Sequence, residues 1–149
     1  MNDIGGLFQH IMVPTDGSQA SNSAGQMAVQ LALVHQAALT FVYVIDDSVV
    51  DKLTISLREK RTKVVHDLRH SGQQYLDHLE RLTRNTHLKT NQVFCEGLPW
   101  NEIDQLARKE HIDLIVMGQV GRSGSRRLLI GPVAERVIEL SPCPVLVLK

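Results

Sequence analysis

Short runs of β-branched residues alternate with longer segments of helical periodicity along nearly the whole sequence. Parallel strands need a crossover connection of about a dozen residues or more, so this alternation indicates parallel strands joined by helices. Runs such as LIVM and VLVL are apolar throughout, which is typical of strands covered on both faces. The predicted strands are His10–Pro14, Leu39–Ile45, Gln92–Cys95, Asp113–Met117 and Val145–Leu148.

The spacing of apolar residues predicts four helices that connect or follow these strands. They run from about Ser18 to His35, from about Thr54 to Arg84, onward from Pro99, and from Pro132 to the residue before Pro142. Ser18 is the predicted N-cap of the first helix. The inward face of that helix is predicted to be Ala24, Met27, Ala28, Leu31 and His35. The long second helix is weakened near Gly72, because glycine costs about 1 kcal/mol relative to alanine in a helix.

The length predicts one domain over residues 1–149. The alternation of strands and helices predicts an α/β fold with an open, mainly parallel five-stranded sheet and helices on both faces. Sixteen Lys and Arg residues balance sixteen Asp and Glu residues, which argues against a nucleic-acid binder and against attachment to an acidic membrane. No apolar run reaches the roughly 18 residues that a membrane helix needs, so we expect a soluble, cytoplasmic protein. Cys95 and Cys143 fit no metal or CxxC spacing and are expected to be buried, reduced thiols.

Ligands of such a sheet bind outside the carboxyl ends of the strands, where the winding direction reverses. Pro14-Thr15-Asp16-Gly17 follows the first strand and Asp46-Asp47 follows the second. Asp16 can contact a ligand or form the turn before the capped helix, and both interpretations stay open. Asp46-Asp47 can hold Mg²⁺ through nucleotide phosphates or form a turn, and we favour the turn.

The stretch GQVGRSGSRRLLIGPV, residues 118–133, follows the fourth strand and opens the last helix. Backbone N–H groups and the positive end of a helix make such a place an anion site, and glycines let a phosphate approach closely. Arg122 and Ser123 can add charged and hydroxyl donors. The spacing Gly118-x2-Gly121-x9-Gly131 matches none of the GxxxxGK[ST], GxGxxG and GxSxG motifs.

In this spacing and in four other segments, the sequence resembles the universal stress protein family, of the UspA-like type. The other segments are HIMVPTDGSQAS, LTFVYVID, EGLPWNEI and SPCPVLVLK. In that family a G-x2-G-x9-G-[S/T] loop joins the fourth strand to the last helix and holds ATP phosphates. The resemblance implies a Rossmann-like fold with strand order 3-2-1-4-5. It also implies a regulatory protein of the stress response that binds ATP or another adenine nucleotide, with Mg²⁺ only if the nucleotide binds.

The resemblance also implies the residues of the nucleotide site. Pro14, Thr15 and Asp16 would lie against the adenosine, with Asp16 accepting hydrogen bonds from ribose hydroxyls. Val44 would meet adenine through its backbone. The phosphate path would be lined by Met117, Gly118, Gly121, Arg122, Ser123, Gly131, Pro132 and Val133.

Two positions depart from the family pattern. Val120 is apolar where many members have a polar residue, and Pro132 stands where the family has Ser or Thr. Pro132 thereby removes a hydroxyl and a backbone N–H, although proline suits the first position of a helix. Hydrogen bonds to a charged group are worth roughly 1.5–3 kcal/mol each, so losing two weakens triphosphate binding by about two to four orders of magnitude. The alternative hypothesis is therefore the same fold acting as an interaction or signalling module without a nucleotide.

No spacing pairs a nucleophile with a base, so we predict no catalytic residues and no enzyme, although slow ATP hydrolysis is not excluded. His66, His70 and His78 share one helix face and are expected to be solvated rather than to bind a metal. The last strand, Pro144–Lys149, is expected at a sheet edge, where pairing across a two-fold axis would cover it. The resemblance also implies dimers through this strand, and we expect a homodimer.

Overall fold

The computed structural model describes residues 6–121 and 130–149. In chain order its elements are β1 His10–Pro14, α1 Gln19–His35, β2 Ala38–Asp46, α2 Asp47–Leu57, α3 Arg61–Arg81, β3 Thr90–Gly97, α4 Pro99–Lys109, β4 Leu114–Gly118, α5 Pro132–Leu140 and β5 Val145–Leu148. The five predicted strands are present with slightly different bounds. None of the described helices is long and apolar enough to cross a membrane.

The five strands form one parallel sheet in the order β3-β2-β1-β4-β5. The chain winds outward from β1 through β2 to β3, and it then crosses to the other side of β1 to form β4 and β5. The winding direction therefore reverses between β1 and β4, which is the point where ligands of such sheets bind. The predicted fold class and strand order are confirmed.

Two apolar cores cover the two faces of the sheet, because successive strand residues point to opposite faces. Phe41 and Tyr43 of β2 join the core beneath α1, α2 and α3, which also contains Leu76 and Leu79. Val42 belongs to the other core, beneath α4 and α5. The alternation along β2 thus assigns each side chain at the site to one face.

The prediction of a single long helix from Thr54 to Arg84 is wrong, since parts of two helices, α2 and α3, occupy this region. Arg58 ends α2 in the left-handed conformation, at φ 53°. Asp46 begins α2 as its N-cap, with Oδ1 accepting from the Ser48 N–H at 2.9 Å. Arg61 at the start of α3 reaches back to Asp51 at 2.5 Å. Apolar periodicity missed the break because α2 buries little and several of its apolar side chains are exposed.

Gly72, the predicted weak point, lies inside the continuous helix α3. A Cβ on Gly72 would overlap the ring of Tyr43. The glycine therefore costs helix propensity but lets α3 approach β2 closely.

The expected inward position of Met27 on α1 is also wrong, because its side chain is 40% exposed. The buried stripe of α1 consists mainly of small residues: Ser21, Ala24, Gly25, Ala28, Val29 and Ala32. Small side chains let the helix lie close to the sheet, whereas the larger side chain of Met27 lies outside this buried stripe.

Replacing Leu79 by alanine is expected to lower the free energy of unfolding by about 2–5 kcal/mol. Leu79 is 0% exposed and packs in the core beneath α1 and α3, so truncation leaves a cavity. Leu57→Ala is the matched control: its side chain is 59% exposed, and the expected change is within about 0.5 kcal/mol. Urea unfolding followed by circular dichroism measures both, and equal losses would contradict this description of the core.

Candidate functional site

A cavity of about 490 Å³ opens at the carboxyl ends of the strands. It lies where the winding direction reverses, and its lining comes from both faces of the sheet. Ten residues that the sequence nominated line it: Pro14, Thr15, Asp16, Val44, Met117, Gly118, Gly121, Gly131, Pro132 and Val133. Two further nominated residues, Arg122 and Ser123, lie outside the residues that the structure describes.

Side-chain hydrogen bonds hold the turn between β1 and α1 at one wall of the cavity. The buried Thr15 hydroxyl accepts from the Gly17 N–H at 3.1 Å. Asp16 Oδ1 accepts from the Ser18 N–H at 2.9 Å, and Ser18 Oγ caps α1 by accepting from the Ser21 N–H at 3.2 Å. Asp16 therefore forms the turn and also lines the cavity, and its contact with a ligand stays a prediction.

The end of β2 extends past the end of β1 and presents backbone groups to the cavity. The last pair of β1 with β2 is Pro14 with Val42, followed by a hydrogen bond from the Thr15 N–H to the Val42 C=O at 2.9 Å. In a parallel strand both backbone groups of every second residue point to the same side. The N–H and C=O of Val44 thus point to the β1 side, where no described strand pairs with them. Val44 offers one donor and one acceptor at the cavity wall.

Apolar side chains surround Val44 on the face of the sheet covered by α4 and α5. Val42, Pro99, Ile103, Met117 and Ala134 line this part of the cavity. Apolar walls beside one backbone donor and one acceptor fit an aromatic base that carries both kinds of hydrogen-bonding group.

Five further lining residues lie on the face of the sheet that α2 and α3 cover, and the sequence did not nominate them: Tyr43, Val49, Leu68, Ser71 and Tyr75. They come from β2, α2 and α3. Tyr43 and Tyr75 contact each other edge to face, with ring centroids 6.0 Å apart. Their proximity to the cavity depends on how α3 packs on the sheet, which local sequence does not show.

The two described ends of the glycine-rich loop are held together beside Asp16. The Gly131 N–H donates to the Gln119 C=O at 2.7 Å, and the Gln119 N–H donates to the Leu148 C=O at 2.6 Å. A Cβ on Gly121 would overlap the Asp16 carboxylate. Glycine at this position therefore permits the loop to approach the turn after β1.

The N-terminus of α5 presents a limited set of donors to the cavity. Gly131 is the N-cap residue, and its own N–H is already engaged with Gln119. Pro132 occupies the first helical position and has no N–H. The N–H groups of Val133 and Ala134 remain in the first turn, at the positive end of the helix dipole.

Other polar residues nominated from the sequence have structural partners or face solvent. Asp46 caps α2 and Asp47 pairs with Arg61 at 3.5 Å, which agrees with the turn interpretation. His66, His70 and His78 are exposed. Within residues 6–121 and 130–149, no group of three or more His, Cys, Asp and Glu side chains is arranged to hold a metal ion.

Both cysteines are free and only half-buried, so the expectation of fully buried thiols is corrected. Cys95 of β3 pairs with Val44 of β2, next to the cavity. Burial, followed by the charge of Glu102, raises the pKa of the Cys95 thiol. Burial likewise raises the pKa of the Cys143 thiol. Raised values keep both groups as weakly reactive thiols at neutral pH.

Residues 7–149 match the model of the universal stress protein family. The chain belongs to this family. It is similar to universal stress protein MJ0531 of Methanocaldococcus jannaschii, at 38% identity over 144 residues that cover 96% of this chain and 83% of the relative.

Solved structures of the family share the fold. Universal stress protein UspA from Lactobacillus plantarum superposes with a TM-score of 0.76 at 28% identity, covering 95% of this chain and 98% of that one. A universal stress protein in complex with cAMP gives 0.72 at 23% identity, covering 95% and 97%. The universal stress protein from Archaeoglobus fulgidus in complex with dAMP gives 0.65 at 17% identity, covering 96% and 99%.

Replacing Ser18 by alanine is expected to lower the free energy of unfolding by about 1 kcal/mol, because the first turn of α1 loses its cap. Ser18→Asp is the control, since aspartate accepts the same hydrogen bond and its charge suits the helix N-terminus. Thermal and urea unfolding measure both variants. An alanine variant as stable as the parent chain would contradict the role of Ser18 as a cap.

Proposed function

We propose that this universal stress protein is a regulatory protein of the stress response that binds ATP or another adenine nucleotide. The observation that carries the proposal is the N–H and C=O of Val44, which no described strand pairs on the β1 side, in a largely apolar cavity at the winding reversal. Adenine has one acceptor, N1, beside one donor, the 6-amino group, and it matches this pair. The nucleotide thus fits the backbone of the site as well as the family pattern.

The remaining parts of the nucleotide have candidate partners along the same cavity. Asp16 would accept from the ribose hydroxyls, because it lines the cavity and an ionised carboxylate can only accept hydrogen bonds. Gly118, Gly121 and Gly131 would leave room for phosphates. The N–H groups of Val133 and Ala134 would face the phosphates. The family resemblance implies that Arg122 and Ser123 would add further contacts to them.

Two of the structurally similar proteins support this assignment, because they are complexes with cAMP and dAMP. Both ligands are adenine nucleotides with a single phosphate. Their binding is known for those proteins and is carried to this chain as part of the proposal.

One observation favours the alternative, an interaction module without a nucleotide. Pro132 lacks an N–H, and the N–H of Gly131 is taken by the Gln119 carbonyl, so the start of α5 offers fewer donors than a helix normally does. Val120 adds an apolar side chain to the lining. A triphosphate would lose the most from this arrangement because it carries the most charge.

We propose binding without catalysis, since no spacing in the sequence pairs a nucleophile with a base, and we propose that Mg²⁺ enters only together with a nucleotide. The cytoplasmic location predicted from the sequence stays a prediction.

Isothermal titration of nucleotide-stripped protein with AMP, ADP and ATP tests the proposal. We expect AMP to bind, and we expect Pro132→Ser to strengthen ATP binding by about tenfold or more, because it restores an N–H and a hydroxyl at the phosphate end. Pro132→Ala is the matched control, since it restores the N–H alone. Absence of binding of every nucleotide at millimolar concentration would contradict the proposal and favour the interaction module.

We also propose that the chain forms a homodimer through β5. This strand lies at the edge of the described sheet. The carbonyls of Pro144 and Leu148 accept from β4, so the backbone groups of Val145 and Val147 point outward. The unpaired N–H and C=O groups of such an edge can bind another strand unless something covers them. In a two-fold symmetric dimer, β5 would pair with β5 of the second protomer.

Replacing Val147 by proline is expected to convert the dimer to a folded monomer. Proline removes the outward N–H while leaving the hydrogen bonds to β4 intact. Val147→Ala is the control, because it shortens the side chain but keeps the N–H, and it should remain dimeric. Light scattering after size-exclusion chromatography gives the mass. A monomeric parent chain, or a dimeric proline variant, would contradict an interface through β5.

A further inference from the structure

Asp46 holds one carboxylate oxygen without a partner at the rim of the cavity. Its Oδ1 accepts from Ser48 twice, from the N–H at 2.9 Å and from the hydroxyl at 2.7 Å. Within the described residues, Oδ2 accepts no hydrogen bond. Asp46 is half-buried and lines the cavity. One oxygen therefore fixes the helix start, which orients the carboxylate and leaves the other oxygen for a ligand.

The position of Asp46 along β2 relates it to the backbone groups of Val44. The two residues are two apart in the same strand, so their side chains leave the sheet on the same face. That face carries the apolar lining from α4 and α5. A base held by the Val44 backbone would thus have the Asp46 carboxylate beside its bonded edge.

The chemistry of adenine leaves one hydrogen for such a carboxylate. If N1 accepts from the Val44 N–H, one hydrogen of the 6-amino group can donate to the Val44 C=O. The second hydrogen of that amino group still needs an acceptor, and an ionised carboxylate can only accept. A 6-oxopurine instead presents an oxygen at this place, which a carboxylate repels.

We propose that Asp46 selects the base by accepting the second hydrogen of the 6-amino group, so that the site takes 6-aminopurine nucleotides and rejects 6-oxopurine nucleotides. This inference rests on the proposed function, in which the Val44 backbone binds the base. It assigns to Asp46 a specificity role in addition to its role as the cap of α2.

Asp46→Asn tests the role without removing the cap, because asparagine caps helices as well as aspartate does. Its amide can accept from an amino group or donate to an oxygen, so IMP gains a partner while AMP keeps one. Asp47→Asn is the matched control. It removes the same charge one residue further on, from a carboxylate that pairs with Arg61 and does not line the cavity.

Isothermal titration with AMP and IMP measures the affinity ratio for the parent chain and both variants. We expect the parent chain to prefer AMP by about tenfold or more, and Asp46→Asn to reduce this ratio by about fivefold or more. Asp47→Asn should keep the parent ratio. If AMP binds and Asp46→Asn leaves the ratio unchanged, the inference is overturned while the proposed function stands. If neither AMP nor ADP nor ATP binds the parent chain at millimolar concentration, both are overturned.

Discussion

The early end of the central strand is the constraint on which the site depends. β1 pairs with both β2 and β4, but its register with β2 ends at Pro14. The Thr15 N–H makes the last hydrogen bond to β2, and the chain then turns through Thr15 and Asp16. β2 continues to Asp46 with only β3 beside it. The space left by β1 becomes the cavity, and the unpaired backbone of Val44 becomes its most specific feature. A longer β1 would fill this space and satisfy those groups with another strand.

Several residues at this place serve the fold and the site together. Ser18 caps α1 and lines the cavity, and Asp16 forms the turn with one oxygen. Asp46 caps α2 in the same manner from the neighbouring strand. Because helix starts lie at the carboxyl ends of parallel strands, capping side chains and ligand-facing side chains are drawn from the same few positions. At Pro132 the stability of the helix and the binding of a ligand favour different residues. Proline suits the helix start but reduces the number of N–H donors available to a phosphate.

Much of the fold follows from local patterns. Apolar runs located the five strands, and Ser18 was identified as a cap from its type and position. The break between α2 and α3 was missed because α2 ends there through a left-handed Arg58, and the spacing of apolar residues does not indicate such a backbone conformation. Met27 was misplaced because the stripe of small residues that actually packs on the sheet is less conspicuous than a large side chain.

The sequence by itself determined the α/β class, because strand periodicity is a local property of the chain. The family and ten lining residues of the cavity followed from the resemblance of the Gly118-x2-Gly121-x9-Gly131 spacing and four other segments to the universal stress proteins. Only the tertiary structure decided that the Val44 backbone is unpaired, that the Gly131 N–H is already engaged, and that Tyr43 and Tyr75 meet at the cavity. These facts depend on where one strand ends relative to its neighbour and on how α3 packs on the sheet. Such relations join residues that are distant in sequence, and no local pattern encodes them.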